Sequence, residues 1–258
     1  MVRPKKHLGQ HFLTDPAIAG RIVDALKVPG GSTVLEIGPG TGILTGTLLE
    51  KDLHIVPVEI DHESVEYLKQ RWPVLENRLL EADFLTLDPG EHIPGPFHII
   101  GNFPYHISSQ IFFRILEYRH QVRSVVCMIQ KEVANRICSP PGTREYGILS
   151  VLLQAYYTTE FLFTVKPGSF FPPPKVHSGV IRLTRNRTTQ LPCDETLFFR
   201  VVKTAFNQRR KMIRNSIKSI LLNLESDMDL LSKRPEQLGF AEFVELTNWI
   251  ESKQNSEL

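Results

Sequence analysis

The stretch TVLEIGPGTG, residues 33–42, decides how this chain is read. An apolar run suited to a buried parallel strand ends in Gly38, Gly40 and Gly42, just where helical spacing begins. Glycines let the backbone turn tightly and approach a ligand that a Cβ would obstruct. Alone, such a loop is also a plain strand-to-helix turn in many α/β domains. Outward from it the pattern repeats. HIVPVEI (54–60), RLLEAD (78–83), FHIIGN (97–102) and SVVCMI (124–129) read as further buried strands. Between them GILTGTLLEK (42–51), HESVEYLKQRW (62–72) and ISSQIFFRILEYR (107–119) carry helical spacing. This alternation implies a Rossmann-like α/β fold, a doubly wound, mostly parallel sheet. YGILSVLLQAYY (146–157) reads as a helix, and FLFTV (161–165) and SGVIRL (178–183) as strands at an antiparallel edge.

The pattern then changes. TRNRTTQLPCDE (184–195) is polar and contains proline, as a linker does, and everything beyond it has helical spacing. The expected division is a catalytic domain with an N-terminal arm over 1–187 and a small helical domain over 188–258. SPPGT (139–143) and FFPPPK (170–175) must be loops, because proline breaks both helices and sheet ladders.

A chain of 258 residues with 41% hydrophobic and 22% charged residues has the composition of a globular protein, and no apolar run is long enough to span a bilayer. The start, MVRPKKHLGQHFL, has no continuous apolar stretch behind its charges, so no secretory signal is read and a cytoplasmic location is expected. Cys127, Cys138 and Cys193 are too far apart for a metal site or a disulfide framework. The net charge of +2 is unevenly spread. Arg185, Arg187, Arg200, Lys203, Arg209, Arg210, Lys211, Arg214 and Lys218 face only Asp194 and Glu195, whereas residues 219–258 hold eight acids and three bases. That asymmetry suits a polyanionic partner, although a solvated helix face would look the same. If RKMIRNSIKSILLNL (210–224) is one helix, Arg210, Arg214 and Lys218 fall at i, i+4 and i+8 and form one stripe.

The loop spacing is G-x-G-x-G rather than the dinucleotide fingerprint G-x-G-x-x-G, and no Lys or Arg lies within it to favour phosphate. Glu59 ends the second strand, where an acid can accept both ribose hydroxyls. Asp83 ends the third strand, beside the same crevice, and could accept from an adenine amine. A lone acid there could equally cap a turn. A nucleoside without phosphates points to S-adenosylmethionine.

NFPY, Asn102 to Tyr105, ends the fourth strand at the switch point of such a sheet. An exocyclic adenine amine is a poor nucleophile because its lone pair is delocalised into the ring. The Asn102 side-chain oxygen and a backbone carbonyl near Pro104 could accept its two hydrogens and aim the lone pair at a sulfonium methyl. Tyr105 could stack on the base. This is catalysis by positioning and electrostatics, with no strong general base.

The chain resembles the rRNA adenine N6-dimethyltransferases, specifically the bacterial type that acts on small-subunit rRNA. The resemblance runs in order through KKHLGQHFL (5–13), EIGPGTG (36–42), Glu59, EADF (81–84), GNFPYHISSQI (101–111), MIQKEVANRI (128–137), YGILSVLLQ (146–154), FFPPPKVHSGVIRL (170–183) and AFNQRRKMIRNSI (205–217). It implies a class I methyltransferase fold and dimethylation of two adjacent adenosines near the 3′ end of small-subunit rRNA, within an immature small ribosomal subunit. It further implies that His11, Leu13 and Gly38 contact S-adenosylmethionine, that Glu59 holds the ribose and Asp83 the adenine, and that Asn102 sits at the transfer point. Phe170, or alternatively Phe171, would supply a second aromatic wall for the target base. Arg209, Arg210, Lys211, Arg214 and Lys218 would bind rRNA. Phe103 replaces the commoner leucine, a conservative change. A monomer without metal is expected. The rival readings are a large-subunit rRNA adenine methyltransferase of the antibiotic-resistance type, a DNA adenine methyltransferase, an NAD-dependent dehydrogenase and a non-catalytic assembly factor.

Overall fold

The computed structural model describes residues 2–220 and 228–256. In chain order the elements are β1 (Phe12–Leu13), α1 (Pro16–Asp24), β2 (Ser32–Ile37), α2 (Ile43–Leu49), β3 (Leu53–Glu59), α3 (His62–Arg71), β4 (Leu80–Glu81), α4 (Pro89–His92), β5 (Phe97–Asn102) and α5 (Ser108–Glu117). They continue with β6 (Val122–Gln130), α6 (Lys131–Cys138), α7 (Ile148–Tyr156), β7 (Tyr157–Val165), β8 (Phe170–Phe171), β9 (Ser178–Arg185), α8 (Glu195–Asn207), α9 (Ile213–Ser216) and α10 (Phe240–Ser256).

Seven strands form one sheet in the order β4-β3-β2-β5-β6-β9-β7. The pairs among β4, β3, β2, β5 and β6 are parallel and β9 joins β6 antiparallel. This is the doubly wound α/β architecture that the alternating pattern implies. Its central strands are buried on both faces, as their unbroken apolar runs require. Val34, Ile55, Ile100, Val126 and Val180 pack with Ala19, Ile22 and Leu48 of the helices in one core cluster. The third expected strand shrinks to two paired residues. Asp83 turns the chain there by accepting from the Leu85 N–H at 2.9 Å, which ends the ladder.

Helix α1 was not legible from the sequence pattern. Asp15 starts it, accepting from the N–H groups of Ala17 and Ile18, with Pro16 in the first turn. The second element missed is a two-stranded ribbon. β1 pairs antiparallel with β8, Phe12 opposite Phe171 and Leu13 opposite Phe170.

The chain divides into two compact units, one of residues 1–134 and 159–185, the other of residues 135–158 and 186–258. The second is therefore not one continuous stretch, because α7 belongs with α8 and α10. Helix α7 buries Leu149, Val151, Leu152, Leu153, Ala155 and Tyr156, nearly its whole circumference. Such a helix must be surrounded, and within its unit Tyr156 also donates to Glu195 at 2.8 Å. Among the described residues no helix is long and apolar enough to cross a membrane.

The helix expected over 210–224 is not continuous across its described part, residues 210–220. Helix α8 stops at Asn207, residues 208–212 turn, and α9 holds only four residues. Ile213, Ser216 and Ile217 are buried and the Ile213 N–H donates to the Lys233 carbonyl at 2.8 Å. Those tertiary ties set the local course of the chain. Residues 221–227 lie outside the described residues. Arg210, Arg214 and Lys218 consequently do not share one helical stripe.

Candidate active site

Strands β2 and β5 are neighbours from which the sheet is wound in opposite directions. Ile37 lies opposite Gly101, so Gly38 and Asn102 leave the sheet side by side at the switch point, where open α/β sheets bind ligands. A Cβ on Gly101 would meet the Ile37 carbonyl oxygen at 2.5 Å, so only glycine permits that approach. A cavity of about 220 Å³ opens there, lined among others by Gly38, Gly40, Glu59, Asp83, Asn102 and Tyr105.

Gly38 has φ +65°, a left-handed conformation, and no atom lies within 4 Å of where its Cβ would be. The dihedral requires glycine, and the space above it belongs to the cavity. Glu59 is buried. Its Oε2 accepts from the Gly40 N–H at 2.9 Å and its Oε1 from the N–H groups of Ile60 and Asp61 at 3.0 Å each. Burial pushes its carboxyl above the usual range and these bonds oppose the shift. Of about four acceptor positions, three are taken. One open direction on Oε2 suits one ribose hydroxyl, and a second would displace an N–H. Asp83 commits Oδ1 to the Leu85 turn, the capping reading of this acid, and its other oxygen faces no partner among the described residues.

The Asn102 Nδ2 donates to the His11 carbonyl at 2.8 Å. A carbonyl can only accept, so the amide orientation is set and Oδ1 is the atom left for an amine. The Pro104 carbonyl accepts a 3.2 Å bond from the Ile107 N–H and retains a second lone pair. Tyr105 shares a 2.6 Å hydrogen bond with the buried Ser178 hydroxyl, and its ring stacks on His11 at 5.7 Å between centroids. Burial raises the Tyr105 phenol above its ordinary value, so it stays protonated.

The segment 5–13 closes one side of the cavity. Lys5 forms an ion pair with Asp61, whose other oxygen accepts from Gln10 at 3.3 Å and from Ser64 at 2.9 Å. Burial would push the Asp61 carboxyl up, but the Lys5, Ser64 and Gln10 bonds outweigh it and leave it below the usual range. His11 bonds through Nδ1 to the Pro172 carbonyl at 2.7 Å, and Phe12 lies against Gly40.

Two of the expected site residues have their side chains elsewhere. Leu13 and Phe170 meet, but both are buried in the core cluster and neither lines the cavity. Their chain neighbours in the ribbon are on the other face: Phe12 lines the cavity, and Phe171 is 62% exposed. Side chains alternate along a strand, so a slip of one residue exchanges core for site. A two-residue strand carries no periodicity, which is why Phe12 was missed. Glu36 was also passed over. It is fully buried, accepts from the Thr45 hydroxyl at 2.7 Å, and burial together with nearby Glu59 pushes its carboxyl up to about 8.

In the second unit, Arg210, Lys211, Arg214 and Lys218 are exposed. Arg209 is half-buried and donates to the Thr143 carbonyl at 3.2 Å. The Arg214 Nε also reaches the Leu231 carbonyl, at 3.4 Å.

The sequence model for ribosomal RNA adenine dimethylase matches residues 1–243. A protein of Cytophaga hutchinsonii named ribosomal RNA small subunit methyltransferase A is 53% identical over 255 residues, 98% of this chain and 99% of that protein. Its namesake in Parabacteroides distasonis is 54% identical over 96% of this chain and 94% of its own. Among solved structures, a dimethyladenosine transferase from Plasmodium falciparum superposes with a TM-score of 0.80 at 24% identity, covering 95% of this chain and 98% of that one. The 23S rRNA methyltransferase ErmE superposes with 0.67 at 26% identity, covering 92% and 99%.

Proposed function

We propose, from the premise that this chain belongs to the ribosomal RNA adenine dimethylase family, that its cavity binds S-adenosylmethionine and presents an adenosine of small-subunit rRNA to it. The protein is an rRNA adenine dimethyltransferase, and relatives sharing about half its residues are named for the small subunit. The finer reading is dimethylation at N6 of two adjacent adenosines near the 3′ end, by a monomer acting in the cytoplasm on an immature small subunit.

One observation carries the cofactor assignment. Among the described residues the cavity wall includes Glu59 and Asp83 but no lysine or arginine, so it suits a phosphate-free nucleoside with a cationic tail. When bound, S-adenosylmethionine supplies an electrophilic methyl group. Glu59 would take a ribose hydroxyl on its open Oε2 position, Asp83 an adenine amine, and Gly38 leaves room beside them. Ile37, Val58, Phe84 and Ile111 line the same cavity and exclude water, which strengthens these polar contacts.

Asn102 acts on the acceptor. With Nδ2 tied to His11, Oδ1 can accept one hydrogen of the exocyclic amine, and the Pro104 carbonyl can accept the other. Both bonds favour a tetrahedral nitrogen whose lone pair is no longer shared with the ring. Tyr105, held through Ser178, offers an aromatic surface for the base. The methylated ammonium loses its proton to water, so no residue need act as a strong base.

The test is methyl transfer from radiolabelled S-adenosylmethionine to purified unmethylated small subunits, with large subunits and DNA in parallel. N6,N6-dimethyladenosine from small subunits alone is expected. Label confined to large subunits or DNA would overturn the substrate assignment.

A further inference from the structure

We infer that Phe171 is a substrate-contacting residue: its exposed ring forms a stacking platform for the nucleotide next to the acceptor adenosine. This rests on the reading of rRNA as substrate.

Phe171 is the most exposed of the large apolar side chains described, at 62%. Its position is determined by pairing. Directly opposed residues of an antiparallel pair project from the same face, so Phe171 shares a face with Phe12. Phe12 lines the cavity whereas Phe171 does not. The ring therefore stands outside the cavity lining on the cavity side of the ribbon, a place suited to a base adjoining the one in the pocket. Phe170 points the other way, into the core.

The platform is held in place before RNA arrives. Phe171 is followed by Pro172, Pro173 and Pro174, which restrict the backbone, and the Pro172 carbonyl is tied to His11 Nδ1 at 2.7 Å. His11 in turn stacks on Tyr105 and its carbonyl orients Asn102. The site of transfer and the exposed ring are thus joined by a short chain of contacts within one unit. The flanking sequence favours a polyanion: within the same unit residues 161–185 contain no acid, and Lys175, Val176 and His177 are exposed in the same loop. Aromatic stacking tolerates any base, so this contact adds affinity and register rather than base identity.

The experiment compares the wild-type protein with Phe171→Ala, Phe171→Leu and Phe171→Trp on unmethylated small subunits. It measures KM and kcat for the subunit, Kd for S-adenosylmethionine and Tm. We expect Phe171→Ala to raise KM about five- to hundredfold, with Kd and Tm unchanged, as loss of one stacked base requires. Phe171→Trp restores KM and Phe171→Leu does not. A KM within twofold of wild type for Phe171→Ala, or restoration by Leu equal to that by Trp, overturns the stacking role. So does a parallel loss of cofactor binding and Tm, which would make the residue structural. If the wild-type protein itself transfers no methyl to small subunits, the substrate reading fails instead. Direct binding of wild-type and Phe171→Ala protein to the rRNA then decides the platform separately, equal affinities refuting it.

Discussion

An amide whose Nδ2 is committed to a backbone carbonyl has its oxygen aimed by that bond, and in this chain the carbonyl belongs to His11. On the proposed mechanism Asn102 has two duties, one toward the acceptor amine and one toward the segment that closes the cavity. Asn102→Ala should lower kcat by about two to three orders of magnitude, as removal of a charge-stabilising group does elsewhere. It should also weaken S-adenosylmethionine binding severalfold, because the tie to His11 is lost as well. Isothermal titration beside single-turnover transfer separates the two effects, and an unaltered turnover would remove Asn102 from the chemistry. Glu36 invites a pH experiment. Its folded-state carboxyl sits at about 8 against an ordinary 4.5, so the folded protein holds a proton that the unfolded chain releases over that interval. Stability should then fall as pH rises from about 4.5 to 8, by up to about 1.4 kcal/mol per pH unit from this group. Glu36→Gln should flatten that slope while keeping the acceptor for Thr45. Denaturant melts at pH 5 and pH 8 measure it, and an unchanged slope would place the titration elsewhere.

Among the elements, the N-terminal arm is held by polar ties to the first unit's strand ends and loops together with burial of Leu13. Lys5 and Gln10 converge on Asp61, which also starts helix α3 through the Glu63 N–H at 3.3 Å. Asp61→Asn keeps a good helix cap but removes the charge that holds Lys5. With the Lys5 side chain one-third exposed, solvent screening weakens the pair, so the loss should be small. Amide exchange over residues 5–13 should speed up several-fold and cofactor affinity should fall, with little change in global Tm. Because Asp61 is held below the ordinary aspartate range, acid should release the arm only at pH below that range. Protection of 5–13 that is unaltered in Asp61→Asn would show that the pair contributes nothing to closure. The same scale explains the broken helix after Asn207. Helical spacing over 210–224 was present, but burial of Ile213 and Ile217 and the bond to Lys233 decided the path of the described residues.

At the scale of the whole molecule, charge segregation remains the feature that suits a polyanion, although it is not arranged as a stripe. Arg210, Lys211 and Lys218 are exposed cations of the second unit. Replacing all three by glutamine should weaken rRNA binding and shallow its salt dependence by roughly 0.7–0.9 in slope for each phosphate contact removed. Binding titrations between 50 and 200 mM salt give the slope, and no change would make these residues a solvated face. The α/β fold was legible because buried parallel strands need continuous apolar runs, and Gly38, Glu59, Asp83 and Asn102 each stand at or beside the end of one. Local sequence thus determined the class of the sheet, the switch point and the kind of ligand that suits it. Only the tertiary structure decided which of Phe170 and Phe171 faces out, how segment 5–13 closes the cavity and that α7 belongs to the helical unit. Those outcomes depend on pairings between residues some 160 positions apart, such as Phe12 with Phe171, or on burial from all sides, and neither leaves a local period in the chain.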